Sequence, residues 1–379
     1  MNKNKKLLIL INDLNFFCSH RLPIAEASKI NGFDVVIGYG ELGSADPQLL
    51  KQKGFKLSLV PMERGGLSFS KDLKNFFHMW NFFKSEKPDI VHLVTIKPYL
   101  YGGIVSRLTG VPSLVSAVSG LGTLFVHKNF KSKFFRLLLY PIYRWAFNHS
   151  NQKVIVQNED DAKLLVEFGV LDPLKVKLIK GSGVKLGNFS KFTEPTGVPV
   201  VCFAARLLRD KGIYDYIDAA RLLKERGIQA RFLLAGDLDI KNPSGINLRE
   251  LNKIKEKNYI EFIGYKKNIS TLYANSNIVC LPSYREGLPK SLIEAAAASR
   301  VVVTTDVPGC RDAIIPNKTG LLVPVNDSQK LADALQWLIE NPTKRIEMGK
   351  EGRKFAEKEF AIEKIVRCHL DIYRDLINK

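Results

Sequence analysis

The chain has 379 residues, a length that predicts two domains rather than one. Its content of 45% hydrophobic and 25% charged residues excludes an intrinsically disordered protein. A formal net charge of +19 indicates a polyanionic partner, either a nucleic acid or an anionic membrane surface. The five cysteines lack CxxC pairing, which predicts unpaired thiols in a reducing compartment.

In the first half of the chain, short β-branched runs alternate with helical patterns, which is typical of a parallel sheet covered on both faces. The first run, Leu7 to Ile11, is too short for a secretory signal segment. The predicted strands are Leu7–Asn12, Asp34–Gly38, Lys56–Pro61, Asp89–Val94, Ser113–Val118 and Lys153–Gln157. The predicted helices are Leu22–Ile30, Lys71–Lys84 and Asp160–Phe168.

The stretch from Leu108 to His127 carries no charged residue before its final histidine and approaches the length of a membrane span. Gly110, Pro112 and Gly120 interrupt it. The sequence therefore predicts a strand followed by a glycine loop there, not a transmembrane helix.

After a polar linker-like stretch, Gly181 to Pro199, the alternation starts again. The predicted strands are Val200–Ala205, Arg231–Ala235, Tyr259–Ile263, Ile278–Leu281 and Val301–Thr305, and the predicted helices are Tyr214–Arg226, Ile269–Ala274 and Leu288–Ala298. We therefore expect two Rossmann-like, doubly wound lobes, residues 1–190 and 191–360, with ligand sites at the strand ends and in a deep cleft between the lobes. Residues 361–379 are expected to form a helix that returns toward the first lobe.

The strongest chemical signal lies between Leu281 and Ala295, where an apolar strand is followed by a loop and a helix. A helix that opens directly after a parallel strand presents backbone N–H groups and a positive dipole end, which suit a diphosphate. Glu286 precedes this helix and can face a sugar, while Glu294 lies two turns into it and can reach a ribose. The alternative is that Glu286 only stabilises the helix end and Glu294 is a solvated surface residue.

This segment resembles the signature of glycosyltransferase family 4, in which two glutamates stand eight residues apart in a PS-x-x-EG context ending in EA. The matching residues are Pro282, Ser283, Glu286, Gly287, Glu294 and Ala295. Further features of the family follow in order: Ala205-Arg206-Leu207 with Lys211-Gly212, Leu234-Ala235-Gly236, Phe262-Ile263-Gly264 and Gly320-Leu321-Leu322-Val323. The resemblance implies the GT-B fold and a retaining glycosyltransferase that uses a nucleotide-sugar donor.

The resemblance also implies roles for these residues. Arg206 and Lys211 would neutralise the donor diphosphate as its charge grows, although both could instead be ordinary surface cations around a turn. Glu286 would hold the sugar hydroxyls. Ile263 to Tyr265 would border the base, the backbone around Gly287 and Leu288 would hold phosphate oxygens, and Glu294 would hold the ribose hydroxyls. The remaining expected donor-binding residues are Gly236, Gly264, Pro289, Lys290 and Ser291.

The first lobe is expected to bind the acceptor. Its loop from Asn12 to Pro23 lacks the Gly-Gly pair of many family members and resembles the Ser-His-Arg-Leu-Pro stretch of bacterial enzymes that build lipid-linked glycans. The expected acceptor-binding residues are Ser19, His20, Arg21, Gly120, Gly122 and His127. Candidates for a general base are Asp13, His20 and His127. In retaining members of the family the departing phosphate is thought to take the acceptor proton, so a dedicated base is not required.

A metal site is an alternative at Asp237-Leu238-Asp239, because this is the DxD triplet that transferases of another fold use to hold a divalent ion. Arg206 and Lys211 already supply the positive charge that such an ion would provide. We therefore expect no metal and no cofactor, only a nucleotide-sugar co-substrate, which the family resemblance implies to be UDP-linked.

The segment Lys128 to Phe147 mixes cations with large aromatic residues. This combination is typical of interfacial contact with an anionic membrane, which would explain the excess of positive charge. Buried aromatics with exposed cations would be the alternative. The leading hypothesis is a cytoplasmic enzyme, peripherally bound to the inner face of the membrane, that adds an N-acetylhexosamine to a polyprenyl-diphosphate-linked saccharide. Two alternatives stay open: a sugar-nucleotide epimerase of the UDP-GlcNAc 2-epimerase type, and, without any recognisable motif for it, a nucleic-acid-binding protein.

Overall fold

The computed structural model describes residues 4–62, 69–121, 130–189, 193–240 and 242–378, and for residues 69, 130–135 and 137 only the backbone. The chain divides into two compact units. Unit 1 comprises Met1–Ser182 and Glu363–Lys379, and unit 2 comprises Gly183–Ile362. Each unit is a parallel β-sheet with helices on both faces, so the predicted pair of Rossmann-like lobes is confirmed.

Among the described residues, the sheet of unit 1 has seven parallel strands in the order β3-β2-β1-β4-β5-β6-β7. They are β1 Lys6–Asp13, β2 Asp34–Glu41, β3 Lys56–Leu59, β4 Ile90–Val94, β5 Ser113–Val118, β6 Gln152–Val156 and β7 Val176–Leu178. Alternate residues of β1 enter two different cores: Leu8 and Leu10 pack on one face of the sheet, and Leu7 and Ile9 on the other. This two-sided burial explains why the strands are apolar throughout.

The helices of unit 1 are α1 Leu14–His20, α2 Leu22–Ile30, α3 Pro47–Gln52, α4 Phe69–Glu86, α5 Gly103–Leu108, α6 Phe130–Ala146 and α7 Glu159–Glu167, with a π-helical turn at Pro98–Gly102 before α5. The strand order reverses between β1 and β4, and in such sheets ligands bind outside the carboxyl ends of the strands at that point. The loops after β1 and β4 are thereby brought together.

Among the described residues of unit 2, the sheet has six parallel strands in the order β10-β9-β8-β11-β12-β13. They are β8 Val200–Ala204, β9 Arg231–Ala235, β10 Glu261–Gly264, β11 Ile278–Leu281, β12 Val301–Thr305 and β13 Gly320–Val323. The helices are α8 Ile213–Glu225, α9 Leu248–Glu256, α10 Ile269–Ala274, α11 Lys290–Ala297, α12 Ser328–Glu340 and α13 Pro342–Glu359. Here the order reverses between β8 and β11, so the loops behind these two strands lie at the expected ligand edge.

The last helix, α14 Ile362–Ile377, packs within unit 1 although α13 before it belongs to unit 2. The hydroxyl of Tyr373 lies 2.6 Å from Nδ1 of His92 in β4, and the ring of His369 stacks on His92 at 5.7 Å. Burial lowers the pKa of His369 to about 3, so its imidazole is neutral at physiological pH. The helix is therefore an integral part of the first unit.

The structure corrects one local prediction. Residues Asn12 to Pro23 were expected to form a loop, but Leu14–His20 is the helix α1. Asp13 is its N-cap, with a carboxylate that accepts a hydrogen bond of 2.8 Å from the N–H of Phe16. The sequence did carry this signal, because aspartate is among the preferred N-cap residues.

Three smaller predictions concern the uncharged stretch, membrane-spanning helices and the cysteines. The strand predicted inside the stretch from Leu108 to His127 is β5, while residues 122–127 lie outside the described part of the chain. Within the described residues, none of the helices combines the length and the apolar character needed to cross a bilayer. The cysteines are free thiols, as predicted, and Cys202, Cys280 and Cys310 are buried.

Candidate active site

The carboxyl ends of β8 and β11 carry the residues that the sequence singled out in unit 2. β11 ends at Leu281, a tight loop follows, and α11 begins at Lys290 with Pro289 at its N-cap. The predicted helix began at Leu288, two residues earlier, which is within the usual uncertainty of a helix boundary. The amino end of α11, with its positive dipole, therefore opens directly behind a central parallel strand.

The carboxylate of Glu286 is the centre of this edge. It forms an ion pair with the ammonium of Lys211, and the hydroxyl of Ser283 lies 2.8 Å from its Oε1. The Glu286 side chain is 11% exposed and that of Lys211 is 18% exposed. Ser283 is fully buried and is also 3.0 Å from the carbonyl oxygen of Asp210, so it joins the loop after β8 to the loop after β11.

Lys211 reaches Glu286 because of the glycine that follows it. Gly212 has a left-handed backbone, with φ of 71°, and begins α8. A Cβ at this position would stand 2.0 Å from the carbonyl oxygen of Pro282. Only glycine therefore allows the two loops to approach this closely.

A second close approach lies beside the first. Gly236 follows β9 with φ of 152°, and a Cβ there would stand 1.9 Å from the carbonyl oxygen of Ala205. The N–H of Gly236 donates a hydrogen bond of 3.1 Å to the carbonyl of Gly264, the last residue of β10. Of the residues expected near the base, Ile263 is partly buried and Tyr265 is 60% exposed. The structure thus gathers the loops after β8, β9 and β10 at one edge.

Arg206 extends from the loop after β8, and its side chain is 54% exposed. Its Nη1 donates to Oδ2 of Asp239 at 2.7 Å, and the Asp239 side chain is only 16% exposed. One carboxylate of the predicted DxD triplet is therefore engaged by a cation that the sequence assigned to the donor diphosphate. Asp237, the other acidic residue of the triplet, is exposed.

Glu294 lies on α11, where its side chain is 14% exposed. Burial raises its pKa, and the ammonium of Lys290, 3.5 Å away, opposes that shift. This burial disfavours the alternative that Glu294 is a solvated surface residue. A largely desolvated carboxylate beside a lysine is suited to accept hydrogen bonds from vicinal hydroxyl groups.

Three further residues support the site and were missed by the sequence reasoning. Gly309, behind β12, packs on the backbone of Glu286 and Gly287: a Cβ there would stand 2.4 Å from the Gly287 carbonyl oxygen. The hydroxyl of Tyr284 donates to Asp215 of α8 at 2.8 Å, and burial raises the pKa of that carboxyl. Gly309 lies in the loop after β12, where a site residue is expected, but only the fold shows which loop it contacts.

In unit 1 the candidate residues have mixed surroundings. The Asp13 side chain is buried as a helix cap. The His20 ring stacks on Phe16 at 3.9 Å, and its Nδ1 lies 2.6 Å from the hydroxyl of the exposed Ser19. These two remain candidates for acceptor contact, whereas the cap role accounts for Asp13 without a catalytic one.

Arg21, one of the expected acceptor-binding residues, is buried. Its side chain is 2% exposed, and burial lowers the pKa of its guanidinium to about 10. Gly120 is described, with φ of 109°, at the carboxyl end of β5. Gly122 and His127 lie outside the described residues.

Taken together, the edge of unit 2 offers two cations, a helix amino end and two shielded carboxylates. Cations and helix N–H groups stabilise a phosphate group that gains charge as it departs. Carboxylates bind hydroxyl groups and favour a sugar over a planar or apolar ligand. The arrangement can hold a sugar bonded to a diphosphate and help that diphosphate to leave.

A prediction follows for Gly309. Gly309→Ala introduces a Cβ that meets backbone oxygen and must displace the Glu286 loop, so turnover should fall by at least about tenfold, on top of about 1 to 2 kcal/mol of backbone strain. Gly227→Ala is the matched control, because Gly227 has φ of 75° with open space around it. Glycosyl transfer and thermal unfolding should be measured for both. Equal turnover in the two variants would contradict the proposed support of Glu286 by Gly309.

Comparison with known proteins gives a consistent result. The model of "Glycosyl transferases group 1" matches residues 186–355, and that of "Glycosyl transferase 4-like" matches residues 6–158. The chain is 27% identical over 349 residues to the N,N'-diacetylbacillosaminyl-diphospho-undecaprenol alpha-1,3-N-acetylgalactosaminyltransferase of Campylobacter jejuni, covering 89% of this chain and 90% of that one. It is 28% identical to the capsular polysaccharide glycosyltransferase CapM of Staphylococcus aureus, over 84% of this chain and 85% of CapM.

Solved structures agree on the fold. The structure of HepE from Anabaena in complex with UDP-glucose aligns with a TM-score of 0.78 at 19% identity, over 99% of this chain and 100% of HepE. The lipopolysaccharide glycosyltransferase WaaG aligns with a TM-score of 0.75 at 16% identity, over 97% and 99% of the two chains. With both family models matched across two Rossmann-like units, the chain belongs to family 4 of the glycosyltransferases and has the GT-B fold.

Proposed function

We propose that this glycosyltransferase is a retaining enzyme that takes a sugar from a UDP-linked donor without a metal ion. The observation that carries the proposal is the position of Glu286, which pairs with Lys211 beside the amino end of α11. In this proposal, Arg206, Lys211 and the start of α11 receive the diphosphate. Glu286 holds the sugar hydroxyls, and Glu294 holds the ribose. The binding of UDP-glucose by HepE, which shares the fold, supports the choice of donor.

The chemical step is an exchange of one bond at the anomeric carbon. The bond from that carbon to the β-phosphate oxygen breaks, and the acceptor oxygen bonds to the same carbon from the same face. The acceptor proton passes to the departing phosphate oxygen. Because that oxygen serves as the base, no protein side chain has to do so, which fits the capping role of Asp13.

The acceptor is proposed to be a saccharide linked to a polyprenyl diphosphate. The support comes from the relatives: the Campylobacter jejuni enzyme is named for such an acceptor, and so is an Escherichia coli galactosyltransferase, 26% identical over 84% of this chain. The donor sugar is proposed to be an N-acetylhexosamine, as in the name of the Campylobacter jejuni enzyme. The product would enter a bacterial surface polysaccharide or glycan.

Membrane contact is proposed through the segment Lys128 to Phe147 at the cytoplasmic face. In its described part, Trp145 is 55% exposed and Leu138 is 59% exposed, and the guanidinium of Arg107 lies 5.8 Å from the Trp145 ring. Tyr143 and Phe147 are instead buried, so the proposed contact rests on the exposed side chains of the segment and not on these two rings. Exposed rings flanked by cations suit the headgroup region of an anionic bilayer.

The donor site is tested by charge-removing substitutions. Glu286→Gln and Arg206→Ala should each lower turnover by on the order of 100-fold with the fold intact, because both act on the charge and hydroxyls of the transition state. The controls are Glu261→Gln and Arg231→Ala, an ion pair on the same unit in which Arg231 is also 54% exposed. The assay supplies donor with and without acceptor, and conversion of the donor alone would favour the epimerase. Near-normal turnover in both site variants would reject the assignment.

Metal independence gives a second prediction. Because Arg206 and Lys211 supply the positive charge at the diphosphate, turnover should continue in excess EDTA at more than half its original rate. The measurement is the initial rate with EDTA, compared with the rate after Mg²⁺ or Mn²⁺ is restored. A rate that vanishes with EDTA and returns with the ion would contradict the proposal.

Membrane contact predicts a selective effect of one tryptophan. Trp145→Ser should weaken binding to phosphatidylglycerol vesicles by about three- to tenfold, since an exposed ring is lost from the interface. Trp337→Ser is the control, because Trp337 is 43% exposed on unit 2. Co-sedimentation at low and high salt measures both variants. Equal binding by the two variants, or binding that does not depend on lipid charge, would contradict the proposed membrane contact of this segment.

A further inference from the structure

A short ribbon of chain lies along the loop that carries Arg206 and Lys211. It comprises residues 237–240 and 242–246, called here the ribbon segment. At one end, the N–H of Leu207 donates to the Asp237 carbonyl at 3.0 Å, and the N–H of Ile246 donates back to the Leu207 carbonyl at 3.1 Å. At the other end, the N–H of Arg209 donates to the Ser244 carbonyl at 2.7 Å. The backbone of the cation-bearing loop is therefore fixed by the ribbon segment.

Asp239 lies in the middle of the ribbon segment and is held firmly. A Cβ at Gly245 would stand 2.3 Å from the Asp239 carbonyl oxygen, so the two halves of the ribbon are packed together. The Asp239 side chain is 16% exposed. Its carboxylate is thus a fixed, partly shielded acceptor rather than a mobile surface charge.

Arg206 is the opposite case, a long side chain that is 54% exposed. Nη1 donates to Asp239, and within the described part of the chain no hydrogen bond engages Nε or Nη2. Without that contact the guanidinium would sample several rotamers. An ion pair this exposed adds little to folding stability, so its consequence lies in where it places the guanidinium.

We propose that Asp239 is a positioning residue for Arg206: it fixes the guanidinium through Nη1 and leaves Nε and Nη2 directed to the donor diphosphate. The inference rests on the proposed donor site and assigns the acidic triplet a role without a metal. Pre-orientation of this kind lowers the cost of ordering a side chain when the charge of the leaving group develops. Asp237, exposed on the same ribbon segment, has no part in it.

The test is a double-mutant cycle on purified full-length protein, read out as kcat and donor KM, with UDP binding by calorimetry. Asp239→Ala should lower kcat/KM for the donor about tenfold, and it should cause less than a twofold further loss when Arg206→Ala is already present. Asp239→Asn retains an oxygen acceptor and should recover most of the activity. Asp237→Ala is the matched control and should stay within twofold of the parent. A merely structural role would give losses that add in the double variant.

Other outcomes have definite meanings. Tighter UDP binding in Asp239→Ala would show that the carboxylate competes with the diphosphate and would overturn the inference. Equal losses in Asp237→Ala and Asp239→Ala that Mn²⁺ or Mg²⁺ reverses would overturn it in favour of a metal site. If Arg206→Ala alone leaves turnover unchanged, the proposed donor site fails. If Arg206→Ala is impaired and Asp239→Ala is not, the positioning role alone fails.

Discussion

The proposed donor site of this glycosyltransferase depends on close backbone approaches that only glycine permits. Gly212 allows the loop after β8 to touch Pro282, and Gly309 allows the loop after β12 to lie on the backbone of Glu286 and Gly287. These contacts bring a lysine from one loop to a glutamate of another, 75 residues apart in sequence. A pair of opposite charges so shielded from water is costly to assemble unless the fold fixes both partners, which these close approaches do.

Both cations of the site are paired with a carboxylate. Lys211 and Arg206 each carry a carboxylate partner in the described structure, Glu286 and Asp239 respectively. The partners hold flexible cations in place before any ligand is bound, so less order has to be imposed when the ligand arrives. In the proposed function, one of these carboxylates also contacts the sugar, while the other acts only through its arginine.

Much of the fold could be predicted from the sequence because buried parallel strands are apolar on both faces, as in β1 and β8. Once these apolar strands are recognised, Glu286 and Lys211 can be placed in the loops that follow strand ends, where ligands bind in such sheets. What could not be predicted depends on contacts between distant loops: the hydrogen bond of Tyr284 to Asp215, the packing of Gly309, and the burial of Arg21. Helix α1 was missed although Asp13 is a strong N-cap, because the run behind it is short.

The central claim is that a diphosphate binds at the start of α11 between Arg206 and Lys211. The most direct measurement is a crystal structure of the protein with UDP. We expect the β-phosphate to lie within about 3 Å of a nitrogen of each cation and of the first backbone N–H groups of α11, with the ribose at Glu294. A diphosphate that contacts neither Arg206 nor Lys211 would contradict it.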